Sequence, residues 1–94
     1  MTATVKFVGS FRSIAGRNEF QPKLRSSVPL RKLVEKIVKE LPKLKSVLID
    51  QERGEPKTNM LVLVNGQEIS VLKGMDTIVN DGDEVVFVPV LHGG

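Results

Sequence analysis

Leu30-Arg31-Lys32-Leu33-Val34-Glu35-Lys36-Ile37-Val38-Lys39-Glu40-Leu41 is the stretch that decides the fold. Its apolar residues Leu30, Leu33, Val34, Ile37, Val38 and Leu41 fall at i, i+3, i+4, i+7, i+8 and i+11, which gathers all six on one stripe of an α-helix. Ser27 is placed to accept from the orphan amides at the helix start. Pro29 sits in the first turn, where its missing N–H costs nothing, and Pro42 stops the helix. On the outer face Glu35 precedes Lys39 by four residues and Lys36 precedes Glu40 by four, so that face supports itself in water. Lys32, Lys36, Lys39, Lys43 and Lys45 are accordingly read as a solvated face rather than a binding strip.

An amphipathic helix needs a surface to cover, and the flanking segments supply strands. Upstream, Thr4 to Val8 alternates as a half-buried strand with Val5 and Phe7 inward, ended by Gly9-Ser10. A turn-rich segment around Ala15-Gly16-Arg17-Asn18 leads to a second strand over Glu19 to Leu24, with Phe20 and Leu24 on one face. Pro22 cannot serve a ladder on both sides, so this strand belongs at a sheet edge, in a hairpin with the first. Downstream, Lys43 to Ile49 adds a helical turn that packs Leu44, Val47 and Leu48, and Asp50 to Asn59 is a charged loop around Gly54 and Pro56.

Met60-Leu61-Val62-Leu63-Val64, Asn65-Gly66 and Gln67-Glu68-Ile69 then give strand, type I′ turn and short strand, because both central turn positions need positive φ. Asp81-Gly82-Asp83 marks a further tight turn before Glu84 to Val90, a near-continuous apolar run suited to a central strand. One helix covers one face of one sheet. The fold class is therefore α+β, a mixed sheet packed against one main helix.

The chain has 94 residues, which makes it a single domain expected to bury roughly 60 to 65% of its unfolded surface. Its composition, 40% hydrophobic and 27% charged, is that of a globular domain rather than a disordered tail. It has no cysteine, which excludes disulfides, thiolate metal sites and a thiol of its own as nucleophile or sulfur carrier. There is no run of eighteen apolar residues and no secretory signal pattern, so no membrane association and a cytoplasmic location are expected. The net charge of +3 is spread along the chain, and tyrosine and tryptophan are absent, so direct nucleic-acid binding is not expected. His92 is the only histidine, which leaves no histidine pair for a metal and no Ser-His-Asp triad on a rigid element. Asp76, Asp81, Asp83 and Glu84 sit where turns need them, and no glycine loop for phosphate is present.

The remaining chemical handle is the ending Val90-Leu91-His92-Gly93-Gly94. A glycine pair places no side chain beside the terminal carboxylate, so another protein can thread it through a narrow channel and react with Gly94. The expected organisation is a domain over residues 1–90 and a flexible tail over 91–94. The five residues after Pro89 reach at most about 17 Å.

The combination of Val62-Leu63-Val64-Asn65-Gly66, Asp76-Thr77, Asp81-Gly82-Asp83-Glu84-Val85, Pro89 and the terminal Gly93-Gly94 resembles the ubiquitin-like sulfur-carrier and modifier family. That family includes the small subunit of molybdopterin synthase, the thiamine sulfur carrier and the ubiquitin-related modifier with its archaeal relatives. Leu91-His92-Gly93-Gly94 resembles the ubiquitin-related modifier, whereas the short loop after Gly9 and Ser13-Ile14-Ala15-Gly16 resemble the molybdopterin branch. The resemblance implies the β-grasp strand order, with the last strand beside the first in the middle of the sheet.

It also implies a protein cosubstrate rather than an enzyme. An adenylating enzyme of the ubiquitin-activating type would join Gly94 to AMP, and a sulfurtransferase would convert it to a thiocarboxylate. The acceptor would lie in molybdopterin or tRNA thiolation, with the large molybdopterin synthase subunit as one partner; the alternative is an isopeptide bond to target lysines. No cofactor is expected on the chain itself, the ATP and magnesium being used by the activating enzyme. Leu91, His92 and Gly93 would be recognised in the partner's channel. In the last strand, alternation turns Val85 and Phe87 toward the helix and Val86 and Val88 away from it. By resemblance to ubiquitin's hairpin, Leu61 and Leu63 join Val86 and Val88 in an exposed partner-binding patch, with Val62 and Val64 buried.

Overall fold

The computed structural model describes residues 1–90. Strand β1 (Thr4–Phe7) buries Val5 and Phe7, and Gly9, at φ 61°, turns the chain into helix α1 (Ser10–Ala15). The sequence suggested only turns here, because a six-residue helix anchored by the single buried Phe11 is too short to show a periodic stripe. Gly16 closes α1 in the left-handed conformation, its N–H donating to the Arg12 carbonyl. β2 (Glu19–Phe20) pairs antiparallel with β1 and is shorter than expected. Pro22 is buried and brings no donor, and beyond it only an isolated bridge between Thr2 and Lys23 extends the pairing.

β3 (Val28–Pro29) runs directly into α2 (Leu30–Glu40). Ser27 does not cap this helix: its hydroxyl donates to Asn80 Oδ1 at 2.7 Å, and the extended Pro29 takes the cap position. The Leu30 amide donates instead to the Thr77 carbonyl at 2.8 Å, a cap supplied by a distant segment. The stripe buries Leu30, Leu33, Val34 and Ile37 completely and half-buries Val38 and Leu41. On the outer face Lys36 reaches Glu40, but Glu35 pairs with Lys32 one turn back rather than with Lys39. A 3₁₀ turn (Pro42–Leu44) and α3 (Lys45–Leu48) then bury Leu44 and Leu48.

The charged segment after α3 contains a small hairpin, β4 (Ile49–Asp50) with β5 (Glu55–Pro56), where a plain loop was expected. Two-residue strands carry no alternation to read. Asp50 Oδ1 accepts from the amides of Glu52 and Arg53 and so tightens the turn. β6 (Met60–Val64) and β7 (Gln67–Glu68) follow, joined by Asn65 and Gly66 at φ 51° and 82° as the I′ turn demands. Two 3₁₀ turns lead to β8 (Ile78–Val79), which pairs with β3, and to β9 (Glu84–Pro89).

The main sheet has the order β2-β1-β9-β6-β7, with β9 parallel to β1 and antiparallel to β6. This is the β-grasp arrangement, with the most apolar strand in the middle and the proline-flanked strand at an edge. Val5, Phe7, Val62, Val64, Val85 and Phe87 line its inner face against α2. The Phe7 and Phe87 rings lie 6.2 Å apart, within the range of favourable aromatic contact. Burying side chains of this size is worth about 1.5–3 kcal/mol each, so this face and the α2 stripe packed on it form the principal core.

Candidate functional site

Antiparallel register fixes the outer face of the sheet. β6 and β9 pair Leu61 with Val88 and Leu63 with Val86, and paired residues project to the same side. Their neighbours Val62, Val64, Val85 and Phe87 are at most 5% exposed, whereas all four outer residues are half-buried. The strand parity expected from the sequence holds. The patch is less open than a fully exposed one, because cross-strand neighbours shield one another even where no helix lies above them.

Val90, 46% exposed, lines a small cavity with Phe11 and Val47, whereas Val8, 43% exposed and of the same parity as Lys6, extends the apolar surface past the end of β1. Lys6 and Glu84 border it with a 2.8 Å ion pair. The hydrogen bond to the Glu84 carboxylate, and then its charge, holds the Lys6 ammonium above the ordinary lysine range. The sequence reading missed these rim residues. Lys6 could have been found from its outward parity between Val5 and Phe7.

The exit of β9 is shaped by Pro89 and Gly9. The Val8 amide donates to the Phe87 carbonyl at 3.1 Å, and Pro89, lacking a donor, ends the ladder toward β1. A Cβ on Gly9 would stand 3.3 Å from Pro89 Cγ, and φ is positive there, so glycine lets the start of α1 pass the end of β9. Val90 follows at the surface. Leu91, His92, Gly93 and Gly94, the expected flexible tail and attachment point, lie outside the described residues.

The carboxylates are engaged in holding turns. Asp83 accepts from Asn65 Nδ2 at 3.0 Å and from the Asn80 amide at 2.7 Å, and Asp81 accepts from the Thr2 amide at 2.9 Å. Asp76 takes two donors from the Arg31 guanidinium. Asn65 Oδ1 accepts the Glu84 amide at 2.9 Å, so the turn after β6 is tied to the start of β9. No group of three His, Cys, Asp or Glu side chains among the described residues could hold a metal ion. Among the same residues, no helix is long and apolar enough to cross a membrane.

With this geometry in place, comparison with known proteins is decisive: residues 5–94 match the ThiS family. The chain belongs to that family of ubiquitin-like sulfur carriers and modifiers. Its members are small carriers and modifiers, not catalysts. Small archaeal modifier protein 3 of Haloferax volcanii is 31% identical over 94 residues, covering 100% of both chains. The crystal structure of SAMP1 from Haloferax volcanii shares the fold at a TM-score of 0.87 and 20% identity, with 100% of both chains covered. Urm1 from Trypanosoma brucei is 31% identical at a TM-score of 0.66, over 99% of this chain and 95% of that one.

Proposed function

We propose that this ThiS-family chain is a sulfur carrier activated at the Gly94 carboxylate. A carboxylate is a poor electrophile, so a partner enzyme first joins it to AMP from ATP, releasing pyrophosphate and leaving a mixed anhydride with AMP as leaving group. A partner's persulfide sulfur then attacks the acyl carbon and expels AMP, and a thiol reduces the resulting acyl disulfide to the thiocarboxylate. ATP and magnesium belong to the adenylating enzyme, and the sulfur goes to an acceptor in molybdopterin or tRNA thiolation. The observation that carries this reading is the family match extending to residue 94, onto the glycine pair. The half-buried face of Leu61, Leu63, Val86 and Val88, on the strand that leads to this end, supports docking of the adenylating enzyme there. Leu91, His92 and Gly93 then occupy the channel to its active centre.

A second reading has its own support, since the 31%-identical relative is named a modifier protein. In that reading a lysine amine of a target protein takes the activated acyl group, AMP leaves, and an isopeptide bond forms. The two readings share the activation step and diverge after it.

Intact-mass analysis of the chain from its native cells, with and without thiol alkylation, tests both. A gain of about 16 Da, the difference between sulfur and oxygen, together with alkylation of the terminus supports the carrier. High-mass adducts joined through Gly94 support the modifier. If the cognate adenylating enzyme produces neither an adenylate nor either product, both readings fail. Deleting Gly93 and Gly94 should abolish activation and leave the melting temperature nearly unchanged.

A further inference from the structure

Strand register carries charge as well as apolar side chains onto the outer face of the sheet. Lys6 pairs with Glu19 on one side and with Val86 on the other; Val86 pairs with Leu63, and Leu63 with Glu68. Paired residues project to the same side, so Glu19, Lys6, Val86, Leu63 and Glu68 form one row across all five strands. Four strand spacings, about 19 Å, separate its ends. The apolar centre is closed at each edge of the sheet by a carboxylate.

Both carboxylates are available. Lys6 is bound to Glu84 in the next row at 2.8 Å, whereas Glu19 and Glu68 are exposed and enter no ion pair among the described residues. The next cation on this side, Lys23, bridges Thr2, four residues before Lys6. The rows through Val86 and Glu84 thus carry the carboxylates of Glu19, Glu68 and Glu84 against the single ammonium of Lys6, a formal −2 on a chain of net charge +3. Charges on edge strands also discourage edge-to-edge pairing, but either sign serves that end and lysine is the commoner choice. Edge protection therefore does not explain why a chain richer in basic residues places a carboxylate at both edges of this face.

We propose that the surface of the adenylating enzyme that meets this face presents an apolar centre flanked by two basic side chains, one facing Glu19 and one facing Glu68. This rests on the docking reading above and adds to it the chemistry of the partner. Exposed rim charges act chiefly by attraction at a distance, so they raise the rate of encounter more than they slow release. Two charges at the ends of one row also fix the rotation at which the chain seats, and with it the direction in which β9 runs into the partner.

The probe is the cognate adenylating enzyme, its binding to the full chain followed by surface plasmon resonance at about 50 mM and about 500 mM NaCl, where screening is weak and strong. At the lower salt the double variant Glu19→Gln with Glu68→Gln should associate at least about ten-fold more slowly than the parent, with dissociation little changed. At the higher salt the difference should fall below about two-fold. The control, Glu52→Gln with Glu55→Gln, removes the same charge from the β4–β5 hairpin outside the main sheet and should stay near the parent rate. Amide NMR spectra of the variants report the fold directly. Unchanged association of the double variant, a loss matched by the hairpin control, or a difference that survives high salt would each overturn the proposal. So would self-association of the double variant with its rate toward the enzyme unaltered, which assigns the carboxylates to edge protection. Full binding by Leu63→Glu would instead overturn the docking reading itself, whatever the charge variants do.

Discussion

The two faces of the central sheet are made from the same two strands in strict alternation, and they meet different fates. Val62, Val64, Val85 and Phe87 lie under α2 and are almost wholly buried; Leu61, Leu63, Val86 and Val88 have the same chemistry and remain half-exposed. The difference is not hydrophobicity. It is that one helix of eleven residues covers one face only. The covered face holds the fold, and the uncovered face is the proposed docking surface, on the strand that leads toward the terminus in the proposed chemistry.

The largest expected effect comes from breaking the covered face. Phe87→Ala removes a fully buried ring that contacts Phe7 and should cost about 3–5 kcal/mol, read as a lower midpoint in urea denaturation. A cost below about 1.5 kcal/mol would mean that the inner face is not the principal core. The contrast sharpens on the other side, where Leu63→Glu or Val86→Asp places a charge on a wet face. Each should change stability by no more than about 1 kcal/mol, yet weaken binding to the adenylating enzyme at least ten-fold by calorimetry. Unfolding by either substitution would erase the distinction between the faces.

Asn65→Ala tests the clamp that holds β6 to β9 for both faces at once. It removes hydrogen bonds to Asp83 and Glu84 and puts alanine at φ 51°, so a loss of about 1–3 kcal/mol is expected, again by denaturation. Asn65→Gly keeps the backbone freedom and should recover part of it.

The smallest effect is at the rim. Lys6 is held above the ordinary lysine range by Glu84, so the pair's contribution is present below the unfolded lysine value and lost as pH rises through the folded one. Stability should therefore fall slightly more steeply above about pH 10 in the parent than in Lys6→Ala. Salt should reduce that difference, since both side chains are nearly half-exposed. A parent curve no steeper than that of the variant would show that the pair does not contribute.

Long periodic segments were legible and short ones were not. The α2 stripe spans three turns and the Asn65-Gly66 turn requires a rare backbone geometry, so both are written in residue types. α1 and the β4–β5 hairpin offer too few residues for a period, and tertiary contacts select them. The same reason explains the cap of α2. Ser27 is a good local acceptor, but the chain folds so that Asn80 takes its hydroxyl and Thr77 receives the Leu30 amide.

Sequence by itself determined which residues of the long elements are inside and where the Asn65-Gly66 turn falls, and it singled out the terminal glycines as the proposed chemical handle, because each depends on local side-chain and backbone preference. Only the tertiary structure decided that Leu61 and Leu63 lie opposite Val88 and Val86, that Lys6 reaches Glu84, and that β7 stops short of Met60. Those facts depend on register between strands distant in the chain. Register is set when the whole sheet closes on α2, which no single segment encodes.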